Sequence, residues 1–183
     1  MKQPPGWWQS DVPKAPISLD GAIMHFTGEN RWLSNFWPSA FEFPIWGHWD
    51  PDHLKVGASL AYGDLKFAYK TNEHFYQAFK TLDLVERQNI VYAATPAEAK
   101  KLGGSVNLRK DWDSIKVEVM RYGLGFKFSI PDLRKRLIDT GDAFLVEANW
   151  WGDTFWGVCQ GRGRNMLGNL LMEIRGVISK IDH

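Results

Sequence analysis

The C-terminal half of the chain has the hydrophobic spacing of amphipathic helices. After Asp111, apolar residues follow at helical intervals and predict one long helix: Ile115, Val119, Tyr122 and Phe126. Pro131 is predicted to open a second helix, which Gly141 closes. The final helix, over about residues 165–181, is amphipathic and is therefore predicted to be central to the core.

Short strands and turns dominate the first half. Aromatic and alternating residues predict strands at 22–26, 41–45 and 65–69. Thr71 or Asn72 is then placed to cap a helix over residues 72–80. Within that helix Glu73, Gln77 and Lys80 fall on one face, while the aromatic residues fall on another.

A capping box predicts the next helix. Thr95 and Glu98 are three residues apart with Pro96 at the first helical position, and Gly103-Gly104 follows as the stop. This helix is interpreted as scaffold. A brief strand at 144–147 then leads into a loop without clear periodicity.

The length of 183 residues is most simply that of one domain with its own core. Residues 1–21 are rich in proline and weakly patterned, so they are predicted to be an N-terminal extension to a domain over 22–183. Trp7 and Trp8 would let this extension wrap the body of the domain. No function is assigned to it.

Segment 46–65 combines histidine, aspartate and glycine. Four of its side chains are metal-ligating types, but their spacing matches no standard motif: His48, Asp50, Asp52 and His53. A variable hairpin tip is the favoured interpretation, and no metal is expected.

Charge and cysteine content narrow the function classes. The formal net charge is +1, so no global field directs the chain to nucleic acid or membrane. The single Cys159 excludes an internal disulfide and a cysteine zinc cage. No apolar run approaches the roughly 20 residues of a membrane span, and no secretory signal is evident. A soluble, cytoplasmic protein is expected.

The aperiodic segment 145–168 has the composition of a site. It carries three tryptophans and the carboxylate of Asp153, and it ends in an Arg/Gly run at a helix start: Trp150, Trp151 and Trp156, then 161–165. Flexible backbone, guanidinium groups and a helix N-terminus favour binding of an anion such as phosphate. The alternative is that the indoles only close over the core.

Glu73 is open to two interpretations. It would belong to a solvated polar stripe, or it would be a functional carboxylate kept ionised by the dipole at the helix N-terminus. Trp112 and Lys116 lie near the start of the next long helix. Beside a functional role, each has a structural alternative: Trp112 as a packing anchor and Lys116 as a solvated charge.

Separated motifs in this chain resemble, in order, those of the YbiA-like or NADAR family. They are YKTNEHFYQAFK at 69–80, TPAEA at 95–99, LRKDW at 108–112 with Lys116 and Met120, and WG at 156–157 followed by GRGRNMLG at 161–168. The similarity runs from about Phe26 to Arg175. It departs from the family in the extension, the longer hairpin and the Trp-rich residues 149–152, all near the expected pocket mouth.

The resemblance implies a helix-rich α+β fold with a small sheet. It also implies N-glycosidase activity, either on early riboflavin-pathway intermediates or in removing ADP-ribose from guanine in nucleic acid. The expected partner is therefore a ribosylated or ADP-ribosylated small molecule, or an ADP-ribosylated nucleic acid, with no membrane and no cofactor. The family is also linked to NAD and ADP-ribose metabolism.

A mechanism follows from cleavage of a ribosyl C–N bond, which develops positive charge at the anomeric carbon. Glu73 and Asp153 are the predicted catalytic carboxylates, with their roles left open. The predicted substrate-binding residues divide by chemistry into two aromatic stacking residues, four phosphate ligands and two amides for hydroxyls or water: Trp112 and Trp156; Arg109, Lys116, Arg162 and Arg164; Asn35 and Asn165. Asn165 is equally placed as a helix cap.

Two other functions remain open at this point. A non-catalytic reader of NAD or ADP-ribose would need the tryptophans and the basic residues but neither carboxylate. A carbohydrate-binding or interaction module would instead use the Trp-rich N-terminal third.

Overall fold

The computed structural model describes residues 21–44 and 66–181. The predictions for the extension up to residue 20, for the 46–65 segment and for its four candidate metal ligands lie outside the described residues. The same holds for the contacts expected of Trp7 and Trp8.

The described residues form six α-helices and six short strands. The helices are α1 Asn72–Ala78, α2 Leu84–Tyr92, α3 Pro96–Gly103, α4 Trp112–Lys127, α5 Pro131–Asp139 and α6 Met166–Ile181. The strands are β1 Ile23–Met24, β2 Pro38–Pro44, β3 Lys66–Thr71, β4 Leu145–Val146, β5 Ala148–Asn149 and β6 Val158–Cys159, with a 3-10 helix at Gly28–Leu33. The helix-rich α+β prediction is confirmed.

The described strands pair two by two. β2 and β3 are antiparallel, β1 is parallel to β4, and β5 is parallel to β6. The β1–β4 pair joins the start of the described chain to residues 145–146, and the β5–β6 pair joins the two arms of the 145–165 loop, residues 148–149 and 158–159. Both pairs lie at one end of α6. That loop, predicted to lack regular structure, therefore contains a parallel pair that fixes its two arms.

α2 is an element that the sequence analysis did not predict. Its first apolar residues, Leu84 and Val85, are exposed, whereas Ile90 and Val91 are buried. The helix therefore lacks a continuous apolar stripe, which is the feature that sequence periodicity detects. Asp83 caps it by accepting hydrogen bonds from the Val85 and Glu86 amides.

The core is built around α1. Phe75 lies 4.5 Å from Phe79 and 5.4 Å from Phe43 between ring centroids, and Phe41 stacks on Phe126 at 5.1 Å. Every residue of α1 is buried, including its polar ones. Aromatic packing on one face of α1 therefore fixes the position of the polar face that forms the floor of the site described below.

Thr71 joins the β2–β3 hairpin to α1. It is the last residue of β3, and its hydroxyl accepts a hydrogen bond from the His74 amide, as the cap prediction required. Among the described helices, none combines the length and apolar character needed to cross a bilayer.

Candidate active site

Glu73 lies in the first turn of α1 and is 6% exposed. Gln77, one turn later, donates from Nε2 to Glu73 Oε1 at 2.7 Å, and the Glu73 amide donates to the Asn35 carbonyl at 3.0 Å. The solvated-stripe interpretation of Glu73 and Gln77 is therefore wrong, because α1 is covered on both faces.

The ionised state expected for Glu73 stays a prediction, because its pKa depends on burial as well as on the helix dipole. Burial raises its pKa above the ordinary value, and the Gln77 hydrogen bond and the charges of Lys100 and Lys80 only partly oppose this. The expectation that the helix dipole would keep the carboxylate ionised neglected desolvation. A helix of seven residues has a weak field, whereas complete burial penalises the charge strongly.

Asp153 is fixed within the loop between β5 and β6. Its Oδ1 accepts hydrogen bonds from the Phe155 and Trp156 amides at 3.0 and 2.8 Å. The Asn149 side chain bonds both the Asp153 amide and its carbonyl, at 3.1 and 2.7 Å. The carboxylate and the Trp156 backbone are therefore held in one rigid turn.

Glu73 and Asp153 line the same cavity, which has a volume of about 500 Å³. This volume is in the range of small-molecule sites. The lining combines aromatic walls, three carboxyl groups and two lysines: Phe26, Thr27, Ser34, Asn35, Phe36, Glu73, Tyr76, Gln77, Lys80, Lys100, Met120, Glu147, Trp151, Asp153, Trp156 and Leu167.

Four of the ten predicted site residues are in this lining: Asn35, Glu73, Asp153 and Trp156. Asn35 is held from below, since its Oδ1 accepts from Asn72 Nδ2 at 2.8 Å. Trp156 packs edge-on against Tyr76 at 5.4 Å between ring centroids. The sequence thus identified residues from three distant parts of the chain that the fold brings together.

The other predicted residues lie outside the lining. Trp112 is buried and packs on Tyr76 at 5.0 Å between centroids, so it supports the wall from behind. Arg109 is buried in a two-bond ion pair with Asp111, at 2.6 and 2.8 Å. The stacking role of Trp112 and the phosphate contact of Arg109 stay predictions.

Lys116 and Arg164 both lie against the Phe155 ring, at 4.6 and 5.6 Å from its centroid. Lys116 also forms an ion pair with Asp113 at 2.7 Å. Arg162 is exposed in a tight turn closed by backbone hydrogen bonds with Cys159. Their phosphate-binding roles likewise stay predictions.

The start of α6 does not offer the free backbone amides that an anion cradle was expected to use. The amides of residues 164–167 donate to the carbonyls of Thr154, Gly157, Phe155 and Trp156, at 2.8 to 3.3 Å. These N–H groups are used to attach the Asp153 loop to α6, so they are not free to bind an anion.

Both polar atoms of the Asn165 side chain are hydrogen-bonded within the protein. Its Oδ1 accepts from the Glu147 amide at 3.0 Å, and its Nδ2 donates to the Leu145 carbonyl at 2.8 Å. This places it between α6 and β4 as a brace for the backbone of Glu147. A direct contact with substrate stays a prediction.

Glu147 was not singled out from the sequence, although it lines the cavity. Burial and the nearby Asp153 raise the pKa of its carboxyl group to about 7, against the opposing charges of Lys100 and Lys127. Its Oε2 is buried without a hydrogen-bond partner among the described residues. The only sequence signal was its position at the start of the Trp-rich loop.

Lys127 lies behind Glu147 at the end of α4 and is completely buried. Its Nζ donates to the Ser34 carbonyl at 2.7 Å, and burial lowers its pKa to about 7. Ser34 itself lines the cavity. A buried lysine with one carbonyl partner thus lies directly beneath the wall of the site.

A sequence model of the NADAR domain matches residues 24–179. This chain belongs to the NADAR domain family. N-glycosidase YbiA of Shigella flexneri serotype 5b is 42% identical over 147 residues, covering 78% of this chain and 86% of that protein. The NMR structure of Escherichia coli YbiA superimposes with a TM-score of 0.66 at 34% identity, covering 88% of each chain.

The match to a plant relative covers only part of either chain. The riboflavin biosynthesis protein PYRR, chloroplastic, of Zea mays is 38% identical over 128 residues, which is 61% of this chain and 20% of that protein. The NADAR match covers all the cavity-lining residues, from Phe26 to Leu167. The whole cavity lining therefore lies within the part of the chain that matches the family model.

Proposed function

We propose that this NADAR domain is an N-glycosidase that hydrolyses the bond between ribose and the nitrogen of a base. The observation that carries the proposal is the meeting of Glu73 and Asp153 in one cavity with the ring of Trp156. The name of the Shigella flexneri relative, N-glycosidase YbiA, supports the same activity.

The two carboxylates have different surroundings, and these suggest different roles. Asp153 is held by two backbone amides, so it is a fixed negative charge suited to stabilise the cationic ribose in the transition state. Glu73 has a pKa raised by burial and is suited to accept the proton of the attacking water. Gln77 orients its carboxyl group for that transfer.

The residues that line the cavity favour a flat, phosphorylated substrate. Phe36, Trp151 and Trp156 contribute aromatic side chains to the lining, and stacking of a base on such a ring contributes roughly 1–3 kcal/mol. Lys80 and Lys100 line the same cavity and supply the positive charge that a phosphate needs. They add to the phosphate ligands predicted from the sequence, which lie outside the lining: Arg109, Lys116, Arg162 and Arg164.

The substrate class follows from these features together. A ribosylated aminopyrimidine phosphate fits a cavity of about 500 Å³ with two lysines, and the name of the Zea mays relative supports riboflavin-pathway chemistry. An ADP-ribosylated guanine is the second candidate, since it has the same ribosyl–nitrogen bond. A non-catalytic reader of NAD or ADP-ribose would need neither Glu73 nor Asp153 for turnover, so the two functions are separated by the release of free base.

The experiment is product identification by mass spectrometry. The full chain is incubated with ribosylaminopyrimidine phosphates, NAD and ADP-ribosylated guanosine, beside Glu73→Gln, Asp153→Asn and an exposed control, Glu42→Gln. Free base and ribose phosphate are expected from the wild type and the control, with losses of about 100-fold or more in the two cavity variants. Tight binding without release of base by the wild type would favour the reader, and near-wild-type rates in both variants would remove these two carboxylates from the mechanism.

A further inference from the structure

Glu147 is held at the cavity wall by its backbone on both sides. Its amide donates to Asn165 Oδ1 at 3.0 Å, and its carbonyl accepts from the Val158 amide at 2.9 Å. A side chain at Gly157 would overlap with that carbonyl, so glycine permits this close approach of the two arms of the loop. The position of Glu147 is therefore fixed relative to Trp156.

The carboxyl groups of the cavity differ in their hydrogen bonds. Glu73 Oε1 accepts from Gln77, and Asp153 Oδ1 accepts from two amides. In contrast, Glu147 Oε2 is buried with no partner in the described part of the chain. A buried carboxyl oxygen without a donor is costly when ionised and much less costly when protonated.

The charged groups around Glu147 come from several elements. Asp153 faces it from its own loop, Lys100 from α3 and Lys127 from α4. Glu73 and Lys80 line the same cavity from α1. Burial and Asp153 favour the protonated form, and the two nearby lysines moderate this, so that the pKa of Glu147 is about 7.

The N-glycosidase reaction needs a proton that Glu73 and Asp153 do not supply in the roles given above. The departing nitrogen must be protonated as the C–N bond breaks, unless the base leaves as a stable anion. A group that donates this proton must carry it at working pH and lie in the same cavity. Glu147 lines the cavity, and its buried Oε2, which has no donor among the described residues, favours the protonated form.

We propose that Glu147 is the catalytic acid of this cavity, an inference that rests on the N-glycosidase function proposed above. Its carboxyl proton passes to the base nitrogen while the C1′–N electron pair leaves with the base. Water then bonds to C1′ and gives its proton to the Glu73 carboxylate. Release of that proton to solvent and uptake of one by Glu147 restore both groups, so the net reaction consumes one water.

The test compares pH profiles of kcat and kcat/KM for the wild type, Glu147→Gln and Glu147→Asp. Glu173→Gln, at an exposed position on α6, is the matched control. The wild type and control should lose activity above about pH 7, as the acid loses its proton. Glu147→Gln should lower kcat at pH 6 by about 100-fold or more, change KM by less than about threefold, and lack the alkaline decline.

Glu147→Asp keeps a carboxyl group on a shorter side chain, so its kcat should fall about tenfold or more while the alkaline decline remains. This variant decides the question if Glu147→Gln does not fold. Retention of the alkaline decline in Glu147→Gln, or near-wild-type kcat in Glu147→Asp, overturns the assignment. If the wild type releases no base from any ribosylated substrate, the proposed function fails first and this inference fails with it.

Discussion

Gln77 Nε2 donates to Glu73 Oε1 at 2.7 Å from one turn further along α1, and both side chains are buried. The bond favours the ionised form of Glu73, whereas burial favours the protonated form. Gln77 therefore limits how far the pKa of Glu73 rises, and it sets the lowest pH at which this carboxylate can accept a proton.

Replacement of Gln77 by methionine removes the donor at similar length. The pKa of Glu73 should rise, so the acid limb of kcat/KM against pH should move upward by about one pH unit, as expected for a hydrogen bond to a charged group. Gln88→Met, at an exposed position on α2, is the control. An acid limb that coincides with the wild type would show that Gln77 does not control the ionisation of Glu73.

Gly123 and Gly125 lie in the same helix, α4, but have opposite surroundings. A β-carbon at Gly123 would overlap with the Asn72 side chain, whereas one at Gly125 would meet no atom within 4 Å. Gly123→Ala should therefore reduce the free energy of unfolding by about 1–3 kcal/mol, and Gly125→Ala should raise it by up to about 1 kcal/mol. Chemical denaturation of both variants measures the contrast.

The same pair connects stability to the site. Asn72 donates to Asn35, which lines the cavity, so displacement of Asn72 should also lower turnover by Gly123→Ala. Turnover by Gly125→Ala should match the wild type. Equal stability of the two variants would contradict the packing argument.

Local signals in the sequence account for most of the helices. α3 follows from its capping box, since Thr95 accepts from the Glu98 amide at 3.1 Å, and α4 follows from its apolar spacing. α2 was missed because its exposed Leu84 and Val85 break the stripe. Signals within about four residues were thus sufficient where side chains obey helical periodicity.

The site was only partly predictable, for a different reason. Glu73 and Asp153 were found by residue type and family motif, and the fold places both in one cavity. Lys100 carries no local signal, and Glu147 carries only its position at the start of the Trp-rich loop. The contribution of both depends on contacts between α3, α4 and the loop. The anion cradle predicted at the start of α6 is not available, because its amides are bonded to carbonyls about ten residues earlier. Hydrophobic periodicity gives no information about such hydrogen bonds.

Trp150 and Trp151 provide a matched pair at the mouth of the cavity. Both indoles are exposed, at 73% and 54%, and their rings meet edge-on at 5.2 Å, but only Trp151 lines the cavity. Trp151→Ala should raise KM by roughly 5- to 150-fold, the range expected for loss of one stacked base. Trp150→Ala should change KM by less than about threefold, since it acts only through its neighbour. Steady-state kinetics of the two variants tests this, and equal effects would show that the substrate contacts both rings.

The buried Lys127 predicts an unusual dependence of stability on pH. Its pKa is lowered from 10.5 to about 7 in the folded chain, so between these values the unfolded chain binds more protons. Stability from this group is therefore fully present above pH 10.5 and is lost as pH falls to 7, by at most about 1.4 kcal/mol per pH unit. Glu147 has the opposite sign: its pKa is raised from 4.5 to about 7, so its contribution is lost as pH rises through that range.

Lys127→Met isolates the lysine contribution. The free energy of unfolding of the wild type, measured relative to this variant, should increase from pH 7 to pH 10, because methionine has no proton to release. Lys135→Met, at an exposed position on α5, should show no such trend. Urea denaturation at closely spaced pH values provides the measurement, and parallel curves for the wild type and Lys127→Met would contradict a neutral buried lysine.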